Sequence, residues 1–149
     1  MNGATTAFSC QRTPPAGSTT PACPNTVTVA SITVPGGPAG SKFIMNATIP
    51  ITATDNNTRV VCSFGGTGVT SDAPGGPATT SFETFTASSP HVTLPLSDSI
   101  RVTTATPTGT VDVNCTISNT SSGNAVVTAV VSGVSITADR KTTLNGVDP

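Results

Sequence analysis

The sequence contains no tryptophan and no tyrosine, and its aromatic side chains are five phenylalanines and one histidine. This composition excludes a carbohydrate-binding platform built from Trp or Tyr rings. It also disfavours binding of single-stranded nucleic acid, which relies on aromatic side chains that stack against successive bases. Recognition by aromatic stacking is therefore not expected.

Charge is scarce as well, because only 9% of the residues are charged and the formal net charge is −1. Binding to nucleic acid requires several clustered Lys or Arg side chains that neutralise phosphates. The six basic residues are at positions 12, 42, 59, 101, 140 and 141, and their spacing in sequence predicts that they form no patch. We therefore expect no nucleic acid partner.

Long hydrophobic segments are also missing. No apolar run approaches the roughly 18 residues of a membrane-spanning helix, so we expect no membrane span. The opening residues Met-Asn-Gly-Ala have neither the basic start nor the apolar centre of a secretory leader. Either a leader has been removed, or the protein leaves the cell by another route, such as the lysis that releases a virus.

Threonine, serine, glycine and proline dominate the chain, with 14 Gly and 13 Pro. Threonine and valine favour strands, and the clusters of Gly and Pro between Thr/Val segments are typical of turns. Disorder is the competing interpretation of this composition. Disordered chains, however, lack repeated segments of alternating Val and Ile. We therefore predict a folded all-β chain.

The clearest strand signal lies in residues 109–138. Residues 111–117 alternate between apolar and polar side chains, which predicts a half-buried strand. The polar run 119–123 predicts a turn, and the Val-rich residues 124–138 predict a long partner strand. We interpret the whole stretch as a hairpin around which the other strands are organised.

Similar segments elsewhere bring the total to seven or eight short strands. Turn signals separate them, which predicts a two-sheet antiparallel sandwich of jelly-roll or Ig-like build with little or no helix. We assign residues 26–149 to this β-sandwich domain. Residues 1–25 are rich in Pro and Thr and predict an irregular N-terminal arm.

The four cysteines suggest an oxidising compartment. Among the three possible pairings we favour Cys10 with Cys23, and Cys62 with Cys115. The second pair lies in two similar Thr/Val segments that could form neighbouring strands. Free buried thiols at positions 62 and 115 remain the alternative. A zinc site is disfavoured, because there is no short Cys-x2–4-Cys unit and only one histidine.

Catalytic groups are hard to assemble from this sequence. A Ser-His-Asp arrangement would need His91 together with a carboxylate such as Asp98. His91 follows a proline at the start of a predicted strand, which is typical of a solvated loop residue. Residues 55–57 could offer oxygen ligands to calcium, although a hairpin turn explains them better. We predict no enzyme activity, no catalytic residue, no metal site and no cofactor.

Several segments carry a resemblance to known proteins. Between residues 26 and 143, the segments VVCSF, HVTLPLSDSI, TVDVNCTIS and VSGVSITA resemble uncharacterised exported bacterial β-sandwich proteins of jelly-roll or Ig-like build. The resemblance implies a fold and an exported setting, and it implies no activity.

Two functions agree with these observations. The first is a structural subunit of an extracellular or virion surface assembly, such as a fibre, decoration or tail protein. It would associate with itself or with neighbouring structural proteins, and its N-terminal arm could reach an adjacent subunit. The second is a secreted monomeric adhesin-like module that binds through its loops. Residues 65–77 would form the main loop of that module.

Overall fold

The computed structural model describes residues 4–35, 40–71, 80–86, 91–103 and 108–141, which form ten β-strands and no helix. The prediction of an all-β chain is therefore confirmed. No described segment is a helix that could cross a membrane. The strands in chain order are β1 (Thr6–Gln11), β2 (Asn25–Pro35), β3 (Lys42–Ala53), β4 (Thr58–Thr67), β5 (Val69–Ser71), β6 (Thr80–Phe85), β7 (His91–Val102), β8 (Thr108–Asn119), β9 (Val126–Val131) and β10 (Ser135–Arg140).

The strands form two antiparallel sheets. The six-stranded sheet has the order β1-β9-β3-β7-β5, and β10 pairs with the stretch of β3 that β9 leaves free. The four-stranded sheet has the order β2-β8-β4-β6. From β1 to β9 successive strands alternate between the two sheets. Each connection along this part of the chain therefore passes from one sheet to the other.

The pairing between strands is nested. The outermost pair is β1 with β9, followed inward by β2 with β8, β3 with β7, and β4 with β6. This is the pattern of one long antiparallel ribbon whose strands fall alternately into two sheets. Each of the outer pairs joins segments that are far apart in sequence.

One hydrophobic core receives side chains from both sheets. On β3, alternate residues from Phe43 to Ala53 are buried, and the residues between them mostly face solvent. On the outer face of the four-stranded sheet, polar side chains pair across strands. The Thr26 and Thr116 hydroxyls are 2.7 Å apart, and Thr28 Oγ1 donates to Asn114 Oδ1 at 2.7 Å. The period-2 pattern of the sequence thus places apolar groups inside and hydroxyl groups outside.

The structure has more strands than the seven or eight predicted. Residues 124–138 were expected to form one strand, but they form β9 and β10, separated by a break that includes Gly133. Gly133 has a φ of 68°, a left-handed conformation that glycine adopts without a steric penalty. The short strand β5 lies in the Gly-rich connection, where no strand was predicted.

The predicted hairpin of residues 109–138 is wrong. β8 lies between β2 and β4 in the four-stranded sheet, whereas β9 lies between β1 and β3 in the other sheet. The turn between β8 and β9 is shaped by Asn119, whose Nδ2 donates to the Ala125 carbonyl at 2.9 Å and whose Oδ1 accepts from the Ser121 N–H at 2.9 Å. The polar run is a turn, as predicted, but it carries the chain across to the opposite sheet.

The expectation of an irregular arm is corrected for residues 6–11, which form β1. This strand pairs with β9 from Thr6 opposite Val131 to Gln11 opposite Val126. Phe8 and Cys10 are buried in the core. Alternation along a strand therefore lets the few apolar side chains of this segment attach it to its own domain.

Replacing Phe8 tests this attachment. Because Phe8 is 5% exposed, Phe8→Ala is expected to lower the free energy of unfolding by about 3 kcal/mol or more. Ala7→Ser, on the exposed face of the same strand, should change it by less than about 0.5 kcal/mol. Urea unfolding with the disulfides intact measures both. Equal midpoints for the two variants would contradict the packing of β1 on the core.

Candidate functional site

The structure contains the two disulfides favoured from the sequence, Cys10–Cys23 and Cys62–Cys115. Cys62 on β4 lies directly opposite Cys115 on β8, with their Cα atoms 4.1 Å apart, and both residues are fully buried. Cys10 is buried on β1, and Cys23 precedes β2. One bridge joins neighbouring strands within the core, and the other ties β1 to the start of β2.

His91 and Asp98, the two residues named for a catalytic arrangement, are not brought together. Both lie on β7, seven positions apart, which corresponds to about 23 Å along a strand. His91 is exposed, and its Nδ1 is 2.7 Å from Thr52 Oγ1. Asp98 is on the opposite, core-facing side of the strand and is 8% exposed. A strand cannot bend enough to bring these two side chains into contact.

A cleft of about 340 Å³ lies at the end of the molecule where β3 ends. It is bordered by the turn after β3 and by residues between β8 and β9. Asp55 is engaged in this turn, because its Oδ2 accepts from Thr54 Oγ1 at 2.7 Å and from the Thr128 N–H at 3.1 Å. Asn57 has a φ of 63°, as a tight turn requires. These contacts give residues 55–57 the structural role of a turn.

A second cleft, of about 300 Å³, lies beside β5 and includes part of the predicted binding loop. Residues 65–71 of that loop belong mainly to β4 and β5, and residues 72–77 lie outside the described residues. Gly66 approaches β8 so closely that a Cβ atom there would lie 2.0 Å from the Thr110 carbonyl oxygen, and its φ is 146°. Only glycine fits this wall of the cleft.

Asp98 is the chemically notable group of this second cleft. Its Oδ1 accepts from Ser71 Oγ at 3.1 Å, while its Oδ2 is buried and has no hydrogen-bond partner among the described residues. A buried carboxylate oxygen without a donor is unfavourable. A cationic or hydrogen-bond-donating group that entered the cleft would therefore be stabilised there.

The edges of the sheets differ in how open they are. β1 is covered by its own chain at its last residue, because the Gln11 N–H donates to the Pro21 carbonyl and the Cys23 N–H donates to the Gln11 carbonyl, both at 3.0 Å. Among the strands that the structure describes, β2 in contrast pairs with β8 on one side only, although it is 11 residues long and carries no charge. An open, uncharged edge of this length is available for pairing with another strand.

The basic residues are not scattered in space, so that prediction is wrong. Lys42 on β3 lies directly opposite Arg101 on β7. On the other side of β3, the Lys141 N–H donates to the Lys42 carbonyl at 3.0 Å, one position beyond the pairing of Arg140 with Phe43. Lys42, Arg101 and Lys141 therefore lie side by side at one end of the six-stranded sheet, whereas Arg140, opposite the buried Phe43, is on the other face. Their sequence positions gave no signal of this, since it depends on which strands pair.

The two disulfides are expected to stabilise the fold by different amounts. Cys62–Cys115 joins residues 53 positions apart, and Cys10–Cys23 joins residues 13 positions apart. The loop-entropy model predicts that the first disulfide stabilises the folded state by about 4 kcal/mol and the second by about 3 kcal/mol. Urea unfolding of the double variants Cys62→Ala/Cys115→Ala and Cys10→Ala/Cys23→Ala measures each loss.

Intact mass after alkylation of the denatured, unreduced protein should show no modified thiol. Alkylation at Cys62 and Cys115 would instead support the alternative of free thiols.

The described residues contain no group of three or more His, Cys, Asp or Glu side chains placed to hold a metal ion. The features with chemical or binding potential are therefore the buried carboxylate of Asp98, the open β2 edge and the clustered basic residues. Comparison of the chain with protein-family models and with curated proteins finds no match.

Proposed function

We propose that this protein is a non-catalytic structural subunit of an extracellular or virion surface assembly, such as a fibre, decoration or tail protein. The observation that carries the proposal is the open edge of β2. Along this edge Val27, Ala30 and Ile32 are only partly buried against the core. An added strand would cover these side chains and would bond the outward-pointing backbone groups of β2.

The partner at this edge is a second copy of the chain. β2 has no charged residue that would repel another β2, and the chain has a formal net charge of only −1. A bulge between Thr28 and Ala30 divides β2. The segment that pairs with the second copy is the uncharged stretch after this bulge. Weak mutual repulsion and an open edge favour association between copies.

The nested strand pairing supports the finer assignment of a jelly-roll sandwich. When β5 and β10 are set aside, the two sheets have the orders β1-β9-β3-β7 and β2-β8-β4-β6, so that eight strands pair from the outside inward. Jelly rolls occur in viral capsid proteins and lectins. This is an analogy at the level of the fold. It agrees with the resemblance of the sequence to exported bacterial β-sandwich proteins.

The proposed location is supported by the two disulfides, which persist in oxidising surroundings. The proposal assigns no catalytic activity to the protein. The separation of His91 from Asp98, which lie on opposite faces of β7, supports this part of the proposal. Neither the extracellular nor the virion setting is preferred by these observations, since both expose the protein to oxidation.

A secreted, monomeric, adhesin-like binding module is the second candidate. The cleft beside β5 favours it, because this cleft combines residues of the predicted binding loop with the buried, unpaired Oδ2 of Asp98. In this role the loops would bind a surface ligand with a positively charged or hydrogen-bond-donating group, and no association between copies would be needed.

A lysine placed on the β2 edge separates the two functions. Thr33 is exposed on β2, after the bulge. Thr33→Lys would place a charge on each of two paired β2 edges, and is expected to weaken association at least about tenfold, equivalent to roughly 1.4 kcal/mol. Analytical ultracentrifugation over a range of concentrations measures the association of the full chain.

The matched control is Thr48→Lys, the same change at an exposed position of β3, which has neighbours on both sides and no open edge there. It should associate like the unmodified chain. If the two lysine variants associate equally well, the β2 edge is not the interface. If the unmodified chain stays monomeric at the highest concentration and binds no structural partner, the adhesin-like module replaces the structural subunit.

A further inference from the structure

One acidic side chain interrupts an otherwise apolar row on β7. The residues of this strand that are buried at alternate positions are Leu94, Leu96, Asp98, Ile100 and Val102. Asp98 is 8% exposed, and Met45, which lies directly opposite it on β3, is fully buried. An apolar side chain at position 98 would complete the row without the cost of burying a polar group. Departures of this kind from the local pattern are expected mainly at functional or strained sites.

The contacts of Asp98 satisfy only one of its two carboxylate oxygens. Oδ1 accepts a hydrogen bond from Ser71 Oγ at 3.1 Å, whereas Oδ2 is buried without a hydrogen-bond partner among the described residues. If Asp98 served only to hold β5 in place, this second oxygen would stay unsatisfied, which is unfavourable. The terminal torsion of an aspartate side chain is broad and nearly twofold, so either oxygen can turn towards a donor. Asp98 therefore retains the capacity to accept from a ligand.

The cleft beside β5 provides mainly apolar surroundings for this carboxylate. Phe64, Val69 and Ile100 supply apolar walls, and two glycines of β4 add backbone without side chains. Asp98 is the one ionisable side chain among the described residues that line the cleft. The volume of about 300 Å³ is at the lower end of the range of ligand pockets. The cleft therefore suits a single long side chain better than a large ligand.

An organic cation fits this cleft better than a metal ion. Calcium and magnesium are bound by about six or more oxygen ligands, whereas the described lining offers one carboxylate and much apolar surface. Lysine and arginine side chains carry a cationic head on an aliphatic stem. The stem can be buried against apolar groups while the head forms a charge-assisted hydrogen bond with a carboxylate.

We propose that this cleft binds the side chain of a lysine or an arginine of a partner protein. The aliphatic stem packs against the apolar walls, and the cationic head donates to the carboxylate of Asp98. One acidic group compensates one positive charge, so a polyamine with several charges fits the described lining less well. The site goes beyond the proposed association of β2 edges, because β2 does not line the cleft. It also names the ligand class of the cleft on which the adhesin-like candidate rests.

The test uses the full chain with intact disulfides and follows its amide signals by two-dimensional NMR. The cationic probes are Nα-acetyl-lysine N-methylamide and Nα-acetyl-arginine N-methylamide, and separate titrations show which cationic head binds more tightly. Nα-acetyl-norleucine N-methylamide, which lacks the ammonium group, is the matched ligand control. The amides of residues 66, 71 and 98 are expected to shift with a cationic probe. The norleucine probe should bind at least about tenfold more weakly.

Asp98→Asn tests the carboxylate, because it removes the negative charge and nearly preserves the size of the side chain. It is expected to weaken binding of the cationic probes at least about tenfold. Asp139→Asn is the matched control, since it makes the same change at an exposed position on β10. This control should bind like the unmodified chain. Dispersed amide signals show that each variant is folded. If Asp98→Asn does not fold, the comparison of the lysine and norleucine probes on the unmodified chain decides.

Three results would overturn the proposal. The cationic probes could fail to shift the amides of the cleft, the norleucine probe could bind as tightly as they do, or a folded Asp98→Asn variant could keep full affinity. The last result would leave Asp98 with a structural role alone. If spermidine binds more tightly than the lysine probe, the ligand is a free polyamine and not a partner protein. Asp98→Asn should associate like the unmodified chain in ultracentrifugation, which keeps this test separate from that of the β2 edge.

Discussion

The fold depends on pairing between strands that are distant in sequence. β1 pairs with β9, which brings residues near position 6 together with residues near position 131. Closing such long loops costs conformational entropy, and the core that offsets this cost contains few large side chains, because the chain has five phenylalanines and no tryptophan. The Cys62–Cys115 bridge lies at the pairing of β4 with β8 and reduces the entropy of the unfolded chain.

Local patterns in the sequence were enough to predict strands but not their partners. Alternation along residues 111–117 identified β8, and the similar surroundings of Cys62 and Cys115 suggested neighbouring strands, as the structure has them. The polar turn after β8 looks the same in sequence whether the chain returns within one sheet or crosses to the other. The hairpin prediction failed for that reason. The neighbouring positions of Lys42 and Arg101 were missed for the same reason, since these residues meet only through the pairing of β3 with β7.

The surfaces with binding potential are in different places on the molecule. The open edge belongs to β2 in the four-stranded sheet, whereas Lys42, Arg101 and Lys141 lie at one end of the six-stranded sheet. The turn of residues 55–57 follows the far end of β3, roughly 36 Å along the strand from Lys42. Contact between copies at one surface therefore leaves the others accessible. A protein with this arrangement can bind one partner at one surface and a second partner at another.

The edges of the two sheets set the geometry of any assembly built by strand addition. Among the described residues, β5 has only three residues, β6 carries Glu83, β10 carries Asp139 and Arg140, and β1 is covered at Gln11. The pairing of one β2 edge with the β2 edge of a second copy would give a twofold axis and a closed pair, whereas open-ended growth needs two different, complementary edges. An assembly larger than a pair would therefore require contacts at other surfaces in addition to the β2 edge.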